Sequence, residues 1–221
     1  FISASPVHCG GVVFTREQII CSMSPEVFIK QEKEILSAYP IKGTGSMEYL
    51  KESEKEISEL QMIIDLLRND LGMIAERVWV ERERFYTTLS YFSHAQSDIK
   101  AQVSNFTWQK FQVLLPCGSM TGAPKSRVLK FTEKYEDFER GLYSGNFGMR
   151  KSHEEGIWNI LIRSLFIKNK NEEDSLGGYD WNYPVGAGIT VDSIPEREAV
   201  ECLEKAKSLQ EIFGEYDTIK E

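Results

Sequence analysis

Histidine and cysteine are scarce in this sequence, and their scarcity excludes several kinds of site. The 221 residues include three histidines and four cysteines. None of the histidines has a cysteine or carboxylate partner at the spacing of metal ligands, so a zinc site is disfavoured. The cysteines are widely separated, which is typical of a reducing compartment rather than of a disulfide framework. We therefore expect a cytoplasmic protein.

Basic stripes, long apolar runs and a targeting segment are missing too. Asp and Glu number 34 against 26 Lys and Arg, and the formal charge of -8 without a basic stripe predicts no nucleic-acid partner. Apolar runs such as 157–167 fall far short of the roughly 20 residues that a membrane span needs, so we expect no membrane contact. The first residue, Phe1, follows no initiator Met or signal peptide, which predicts that the natural protein starts earlier.

The hydrophobic patterning predicts strands and helices without a strict alternation. Residues 10–14 and 18–22 indicate a hairpin, 48–71 a single amphipathic helix, and 158–168 a single strand. A further helix is expected to end near Phe213, and the polar segment 169–181 is expected to be a mobile surface loop. The pattern predicts one α+β (mixed α/β) domain over residues 1–221.

Two sets of acidic residues have helical spacing. Glu56 and Glu59 are three residues apart, and Glu198, Glu201 and Lys205 share one face of the last predicted helix. If the two helices approach each other, four carboxylates would converge, and oxygen ligands are those that Mg²⁺ prefers. Such spacing is more often found on a solvated helix face, so both interpretations stay open from the spacing alone.

Glycine-rich segments and one lysine are further candidates. Residues 116–125 combine glycines, hydroxyls and a lysine as anion-binding turns do, although the glycine spacing is not that of a Walker A loop. The glycines of 186–188 would let backbone amides approach a ligand. Lys42 lies between Ile41 and Gly43, where a pocket could hold it. Plain turns and a solvated lysine are the commoner explanations of such patterns.

Taken together, these segments resemble a known family. Seven of them follow one another in the order of the chorismate-utilising enzymes, which include anthranilate synthase component I, aminodeoxychorismate synthase component I, and the isochorismate and salicylate synthases. The matching segments are 24–26, 40–44, 56–72, 116–125, 141–145, 162–163 and 186–205. The resemblance implies antiparallel sheets packed in a sandwich with flanking helices, in a chorismate-binding catalytic domain that lacks its N-terminal portion.

The resemblance also implies roles for individual residues. Glu59 and Glu201 match direct Mg²⁺ ligands, and Glu56 and Glu198 match residues that support the ion through water. The remaining matches are to substrate-binding residues. Two of them, Tyr143 and Arg163, would hold the enolpyruvyl carboxylate, and the others are Thr44, Ser119, Thr121, Gly186, Gly188 and Lys205.

Position 42 separates the subfamilies, because aminodeoxychorismate synthases typically carry Lys there and anthranilate synthases carry Ala. The resemblance implies that Lys42 is the nucleophile and that Glu26 is the general acid. The implied reaction makes 4-amino-4-deoxychorismate for 4-aminobenzoate and folate, with ammonia from a glutamine amidotransferase subunit or fused domain. Anthranilate synthase, a truncated non-catalytic chorismate-binding fragment and a purely structural partner of the amidotransferase are the alternatives.

The sequence departs from the family pattern at a few positions. Gly45 and Ser46 follow Thr44 where many members have Arg, and Leu60 replaces a frequent His or Asn. Tyr91 aligns with a His that is tied to pyruvate elimination in anthranilate formation, with His94 three residues away. Without that His, an enzyme that stops at aminodeoxychorismate is favoured.

Overall fold

The computed structural model describes residues 9–89, 92–169 and 178–213, and these form two compact units. One unit contains residues 26–160, and the other contains the described residues up to 25 and from 161 onward. The strands are β1 Gly11–Phe14, β2 Gln18–Ser22, β3 Val27–Glu32, β4 Ile35–Ala38, β5 Ile41–Gly45, β6 Arg77–Leu89, β7 Phe92–Gln102, β8 Asn146–Arg150, β9 Glu155–Ile160, β10 Ser164–Asn169 and β11 Tyr179–Asn182. The helices are α1 Met47–Glu52, α2 Glu54–Gly72, α3 Trp108–Val113, α4 Gly118–Thr121, α5 Lys125–Tyr135 and α6 Pro195–Phe213.

The sheet of the unit formed by residues 26–160 is antiparallel throughout, in the order β5-β7-β4-β3-β9-β8, with β6 also paired to β7. Two short strands share the long strand β7, because β4 pairs with its residues 99–102 and β5 with its residues 93–96. The N–H of Ser97 donates to the carbonyl of Pro40 between them, at 3.2 Å. Strands β4 and β5 therefore lie one after the other along the same long strand β7, and β5 carries Lys42.

The unit formed by residues 9–25 and those from 161 onward contains a second antiparallel sheet, in the order β1-β2-β10-β11, and helix α6. The predicted β1-β2 hairpin is confirmed. Of the predicted mobile loop 169–181, Asn169 and Tyr179 pair with each other at the ends of β10 and β11, whereas residues 170–177 lie outside the described residues. Helices combined with antiparallel sheets confirm the α+β class. The sandwich packing and the single domain over 1–221 stay predictions.

The predicted helix 48–71 is wrong in one respect, because it is two helices separated at Ser53. Ser53 has extended backbone angles and ends α1, since its N–H donates to the carbonyl of Tyr49 at 2.9 Å. Its hydroxyl oxygen then accepts the N–H of Glu56 at 3.4 Å, which caps the start of α2. The apolar face of α2 is buried, and the helix packs against β7, β5 and β6. Glu56 and Glu59 thus lie in its first two turns.

The predicted single strand 158–168 is wrong as well. It is two strands in different sheets, because β9 ends at Ile160 and β10 begins at Ser164. Arg163 between them has a φ of 47°, in the left-handed region that interrupts a strand. Both strands are largely buried, so the apolar run is continuous and its periodicity does not reveal the break.

Aromatic side chains fill part of the core in the unit formed by residues 26–160. Phe111 of α3 contacts Phe28, Phe106 and Trp158, with ring centroids 5.0 to 6.2 Å apart. This packing holds α3 and thereby the start of the loop that follows it. A cavity of about 730 Å³ lies beside the cluster, and none of the predicted site residues lines it. In the part of the chain that the structure describes, no helix is long and apolar enough to cross a membrane.

Candidate active site

A bulge in β5 brings Gly43, the residue after Lys42, against helix α2. Lys42 pairs with Ala95 of β7 and Thr44 pairs with His94, so Gly43 is the extra residue in the register. Its φ of +73° favours glycine, and a Cβ there would lie 2.7 Å from the Glu56 carboxylate. Only a residue without a side chain lets the Lys42 strand approach Glu56 this closely.

Glu26 is close enough to Lys42 for the lysine charge to lower the pKa of its carboxyl group, although sixteen residues separate them in the sequence. Its carbonyl accepts the N–H of Ile160 at 3.1 Å, and its carboxylate accepts a hydrogen bond from the Ser119 hydroxyl at 3.3 Å. Burial raises the pKa of Glu26 to about 7, while the positive charge of Lys42 and the Ser119 hydrogen bond act in the opposite direction. A carboxyl group with this pKa can donate and accept a proton near neutral pH. The structure thus brings both predicted catalytic residues together with Ser119.

The loop 116–125 is attached to helix α2 by close packing and by an ion pair. Gly118 lies against Leu66, since a Cβ there would be 2.6 Å from its side chain. The Lys125 ammonium pairs with the Asp70 carboxylate at 2.6 Å and donates to the carbonyl of Leu114 at 3.1 Å. Lys125 is therefore directed at α2, and the structure does not support its interpretation as part of an anion-binding turn.

Thr121 is the last residue of the short helix α4, which lies within the same loop. Its hydroxyl donates to the carbonyl of Cys117 at 3.1 Å, one turn earlier. The hydroxyl of Ser119, in contrast, reaches across to Glu26, outside the loop. Of the two predicted substrate-binding residues in this loop, Ser119 contacts a catalytic candidate and Thr121 bonds within its own helix.

The first acid pair is on α2. Ser53 and Glu56 have capping-box spacing, but the Glu56 carboxylate accepts from the hydroxyl of Tyr49 at 3.3 Å and lies against Gly43. Glu59 forms a long ion pair with Lys55, at 3.7 Å. Both glutamates thus lie in the first two turns of α2, and Glu56 is next to β5, the strand that carries Lys42.

The second acid pair is on α6. Glu198 is only 7% exposed, although most of its neighbours along the helix are exposed. Glu201 pairs with Lys205 at 2.7 Å, and the Lys205 ammonium also donates to the carbonyl of Gly186 at 2.8 Å. Lys205 therefore ties the glycine segment 186–188 to the helix that carries both acids. Burying a carboxylate is costly unless its charge is compensated. Buried carboxylates such as Glu198 are therefore frequent at functional sites.

Of the other predicted substrate-binding residues, Tyr143 belongs to the unit formed by residues 26–160, and Arg163 and Gly188 belong to the other unit. Tyr143 is half-buried, and its N–H donates to the carbonyl of Arg140 at 3.0 Å. Arg163 is exposed, and its carbonyl accepts the N–H of Met23 at 3.2 Å. Gly188 is exposed with open space around it. Their predicted roles toward a substrate stay predictions.

Within each unit as described, no three acidic, His or Cys side chains form a metal-binding group. Each unit instead supplies one pair of glutamates on one helix, and all four donors are carboxylates. Oxygen donors of this kind fit Mg²⁺, which keeps several of its waters. The residues present are therefore suited to the ion, and a shared site stays a prediction.

The position of His94 in the sheet is not evident from the sequence. This residue lies in β7 directly opposite Thr44 of β5 and Thr87 of β6, next to the Ala95 that pairs with Lys42. A histidine is thus present on the strand that neighbours Lys42, while Tyr91 lies outside the described residues. The preference for an enzyme that stops at aminodeoxychorismate stays a prediction, and only the strand register reveals where His94 lies.

Known proteins of similar sequence and fold exist. The anthranilate synthase component 1 of Methanothermobacter marburgensis is 32% identical over 218 residues, which cover 90% of this chain and 45% of that protein. The aminodeoxychorismate synthase component 1 of Bacillus subtilis is 31% identical over 208 residues, covering 87% and 42%. The crystal structure of anthranilate synthase component I from Streptococcus pneumoniae matches with a TM-score of 0.79 at 28% identity, covering 94% of this chain and 47% of that one.

These relatives identify a family and not a single member, since two names occur at similar identity. The chain spans less than half the length of each of these three proteins. A model of the family described as chorismate binding enzyme matches residues 4–211, which is nearly the whole chain. Family match, fold and the grouping of Lys42 with Glu26 lead to one conclusion: the chain belongs to the chorismate binding enzyme family.

Proposed function

We propose that the chain carries the catalytic site of an aminodeoxychorismate synthase component I, which converts chorismate and ammonia to 4-amino-4-deoxychorismate. The observation that supports this most directly is the position of Lys42 beside Glu26, whose pKa burial raises to about 7. A lysine nucleophile next to a carboxyl group that can hold a proton at neutral pH is suited to replacing a hydroxyl group by an amine.

In the first half of the proposed reaction, the Lys42 amine attacks C2 of chorismate. The double bonds shift, the bond between C4 and its hydroxyl breaks, and the proton of Glu26 goes to the departing oxygen to form water. Glu26 is suited to this step because its raised pKa lets a neutral carboxyl group persist near pH 7. The step leaves Lys42 bound to C2 and Glu26 ionised.

In the second half, ammonia adds at C4, the double bonds shift back, and the bond between C2 and Lys42 breaks. The Glu26 carboxylate takes a proton from the new ammonium group, which restores its starting state. We infer that the ammonia comes from a glutamine amidotransferase, as a separate subunit or a fused domain. Free ammonia is mostly protonated at neutral pH, so a dedicated source would supply the reactive form.

The proposed substrate is a dianion, so its carboxylates need a cation and polar side chains to bind them. Glu59 and Glu201 would bind Mg²⁺ directly, with Glu56 and Glu198 supporting it through water. The ion, when bound, stabilises the negative charge that develops on the ring carboxylate. Tyr143 and Arg163 would bind the enolpyruvyl carboxylate, and the other proposed substrate contacts are Thr44, Ser119, Thr121, Gly186, Gly188 and Lys205.

A second candidate is anthranilate synthase, because His94 lies on the strand that pairs with the strand of Lys42. A base at this position could remove a ring proton and so promote loss of pyruvate. Product analysis separates the two candidates. The protein that contains this chain is incubated with chorismate, Mg²⁺ and ammonium, and we expect 4-amino-4-deoxychorismate. Fluorescent anthranilate formed without an added lyase would favour the second candidate, and no consumption of chorismate would contradict both.

A further inference from the structure

A line of polar groups leads from a buried cysteine to Glu26. The Cys117 thiol is 1% exposed, and its sulfur lies 3.2 Å from the hydroxyl oxygen of Ser119. That hydroxyl lies 3.3 Å from Oε1 of Glu26. Cys117 and Ser119 come from the loop 116–125, ninety or more residues after Glu26 in the sequence. The loop therefore contributes to the surroundings of the proposed acid.

When Glu26 is ionised, the hydrogen bonds in this line have a defined direction. Burial, and after it the Glu26 carboxylate, raise the pKa of Cys117 to about 12, so the thiol keeps its proton. Ser119 has one hydroxyl proton, and a carboxylate oxygen can only accept it. The hydroxyl therefore donates to Glu26 and accepts from the Cys117 thiol. Donors aligned in this way polarise one another, which strengthens the final bond to the carboxylate.

We propose that Ser119, oriented by Cys117, is a positioning residue that fixes the Glu26 carboxyl group beside Lys42 and favours its ionised form. The proposal rests on the role of Glu26 as acid and base in the proposed function. It adds a specific task for Cys117, a residue to which neither the sequence pattern nor the family resemblance assigned any role.

Groups on β5 and on the loop 116–125 influence how readily Glu26 ionises. Lys42 on β5 favours the carboxylate by its charge, and Ser119 favours it by the hydrogen bond. Cys117 acts through Ser119, and its pKa is in turn lowered slightly by the charge of Lys125. Burial opposes these effects and is the larger influence. Without the hydroxyl of Ser119, one of the influences that oppose burial would be lost, and Glu26 would hold its proton to higher pH.

The first test measures the ionisation of Glu26 without any substrate. The carboxyl stretch is followed by infrared difference spectroscopy during a pH titration, and it is assigned by its loss in Glu26→Gln. We expect Ser119→Ala to raise the pKa of Glu26 by about one unit. Cys117→Ala should shift it in the same direction by less, and Ser119→Thr, which keeps a hydroxyl, should restore it. Cys21→Ala serves as the control for loss of a thiol and should cause no shift.

The second test is the pH dependence of kcat for the same variants. The loss of activity at high pH should move upward in Ser119→Ala by the shift that the titration measures. An unchanged titration in Ser119→Ala would overturn the proposal, whether or not the protein makes the expected product. A shifted titration with an unmoved rate profile would overturn the catalytic use of Glu26, and with it the reason for the positioning. Absence of the expected product from the unsubstituted protein would contradict the proposed function and leave the first test decisive for Ser119.

Discussion

The Lys125 ammonium lies 2.6 Å from the Asp70 carboxylate, and the two side chains are only 18% and 4% exposed. Burial raises the pKa of Asp70, while the hydrogen bond and charge of Lys125 act against this increase. The pair connects the loop that carries Ser119 to the helix that carries Glu56 and Glu59. One contact thus holds together two of the segments that supply the proposed active site.

Loss of this pair should destabilise the protein measurably. In Lys125→Met, a largely buried carboxylate would lose its partner, and we expect the free energy of unfolding to fall by about 3 kcal/mol. The double variant Lys125→Met with Asp70→Asn should recover part of this loss, since no charge is left unpaired. Urea unfolding measures both. Lys151→Met is the matched control because its pair with Glu155 is more than half exposed, and it should change stability by less than about 1 kcal/mol.

The glycine at the β5 bulge should not tolerate a side chain. In Gly43→Ala, the methyl group would contact Leu50 and the Glu56 carboxylate at 2.7 Å, in a backbone conformation that L-residues disfavour. We expect a loss of roughly 1–2 kcal/mol in stability from the backbone alone, together with a lower kcat. Gly72→Ala, at the end of α2 where the added methyl group would meet no other part of the protein within 4 Å, should be neutral or slightly stabilising. Equal behaviour of the two variants in unfolding and activity assays would contradict this account of the bulge.

Some parts of this arrangement could be predicted from the sequence and others could not. Helical spacing correctly paired Glu56 with Glu59 and Glu198 with Glu201, because residues three apart share a helix face. The partner of Lys125 could not be found in this way, since Asp70 is fifty-five residues away. For the same reason, the distance in sequence hid the contact between Ser119 and Glu26.

Strand register and strand ends also could not be predicted from the sequence. The placement of His94 opposite Thr44 depends on the bulge at Gly43. The sequence does not show where a β-bulge shifts the register between two strands. The break between β9 and β10 was hidden in an apolar run that is buried on both sides of Arg163. Local patterns therefore predicted the type of most elements but not the breaks at Ser53 and Arg163, and the contacts between distant elements came only from the structure.

The raised pKa of Glu26 should appear in the pH dependence of stability. The carboxyl group titrates near 4.5 in the unfolded chain and near 7 in the folded one. Between these values the folded state retains a proton that the unfolded state has released, so the free energy of unfolding falls as pH rises. The slope is at most about 1.4 kcal/mol for each pH unit. Glu26→Gln should remove this fall, so that the variant resists urea better than the unsubstituted protein at pH 8.

The control for that experiment is Glu17→Gln, which removes an exposed carboxylate. It should leave the pH slope as it is in the unsubstituted protein. If Glu26→Gln and Glu17→Gln have the same slope between pH 5 and pH 7, the carboxyl group of Glu26 does not hold its proton in the folded state.

Replacement of Lys42 should stop the chemistry without unfolding the protein. Lys42→Ala removes the proposed nucleophile, and we expect the rate of amination at C4 to fall at least about a hundredfold. Lys30→Ala is the matched control, because Lys30 lies on β3 of the same sheet and pairs with the exposed Glu32. It should retain its activity. Chromatographic detection of the 4-amino product from Lys42→Ala at an undiminished rate would show that Lys42 is not the nucleophile.

The acid pair on α2 offers a direct test of the proposed Mg²⁺ site. Glu59→Gln keeps the shape of the side chain but removes a charged oxygen donor, so we expect the Mg²⁺ concentration for half-maximal activity to rise about tenfold or more. Glu54→Gln removes an exposed carboxylate from the first turn of the same helix and should change it little. The comparison separates binding of the ion from the general charge of the helix, because both variants lose one negative charge. Calorimetric titration of Mg²⁺ with chorismate present provides a readout without turnover, and equal Mg²⁺ affinity in the two variants would contradict a ligand role for Glu59.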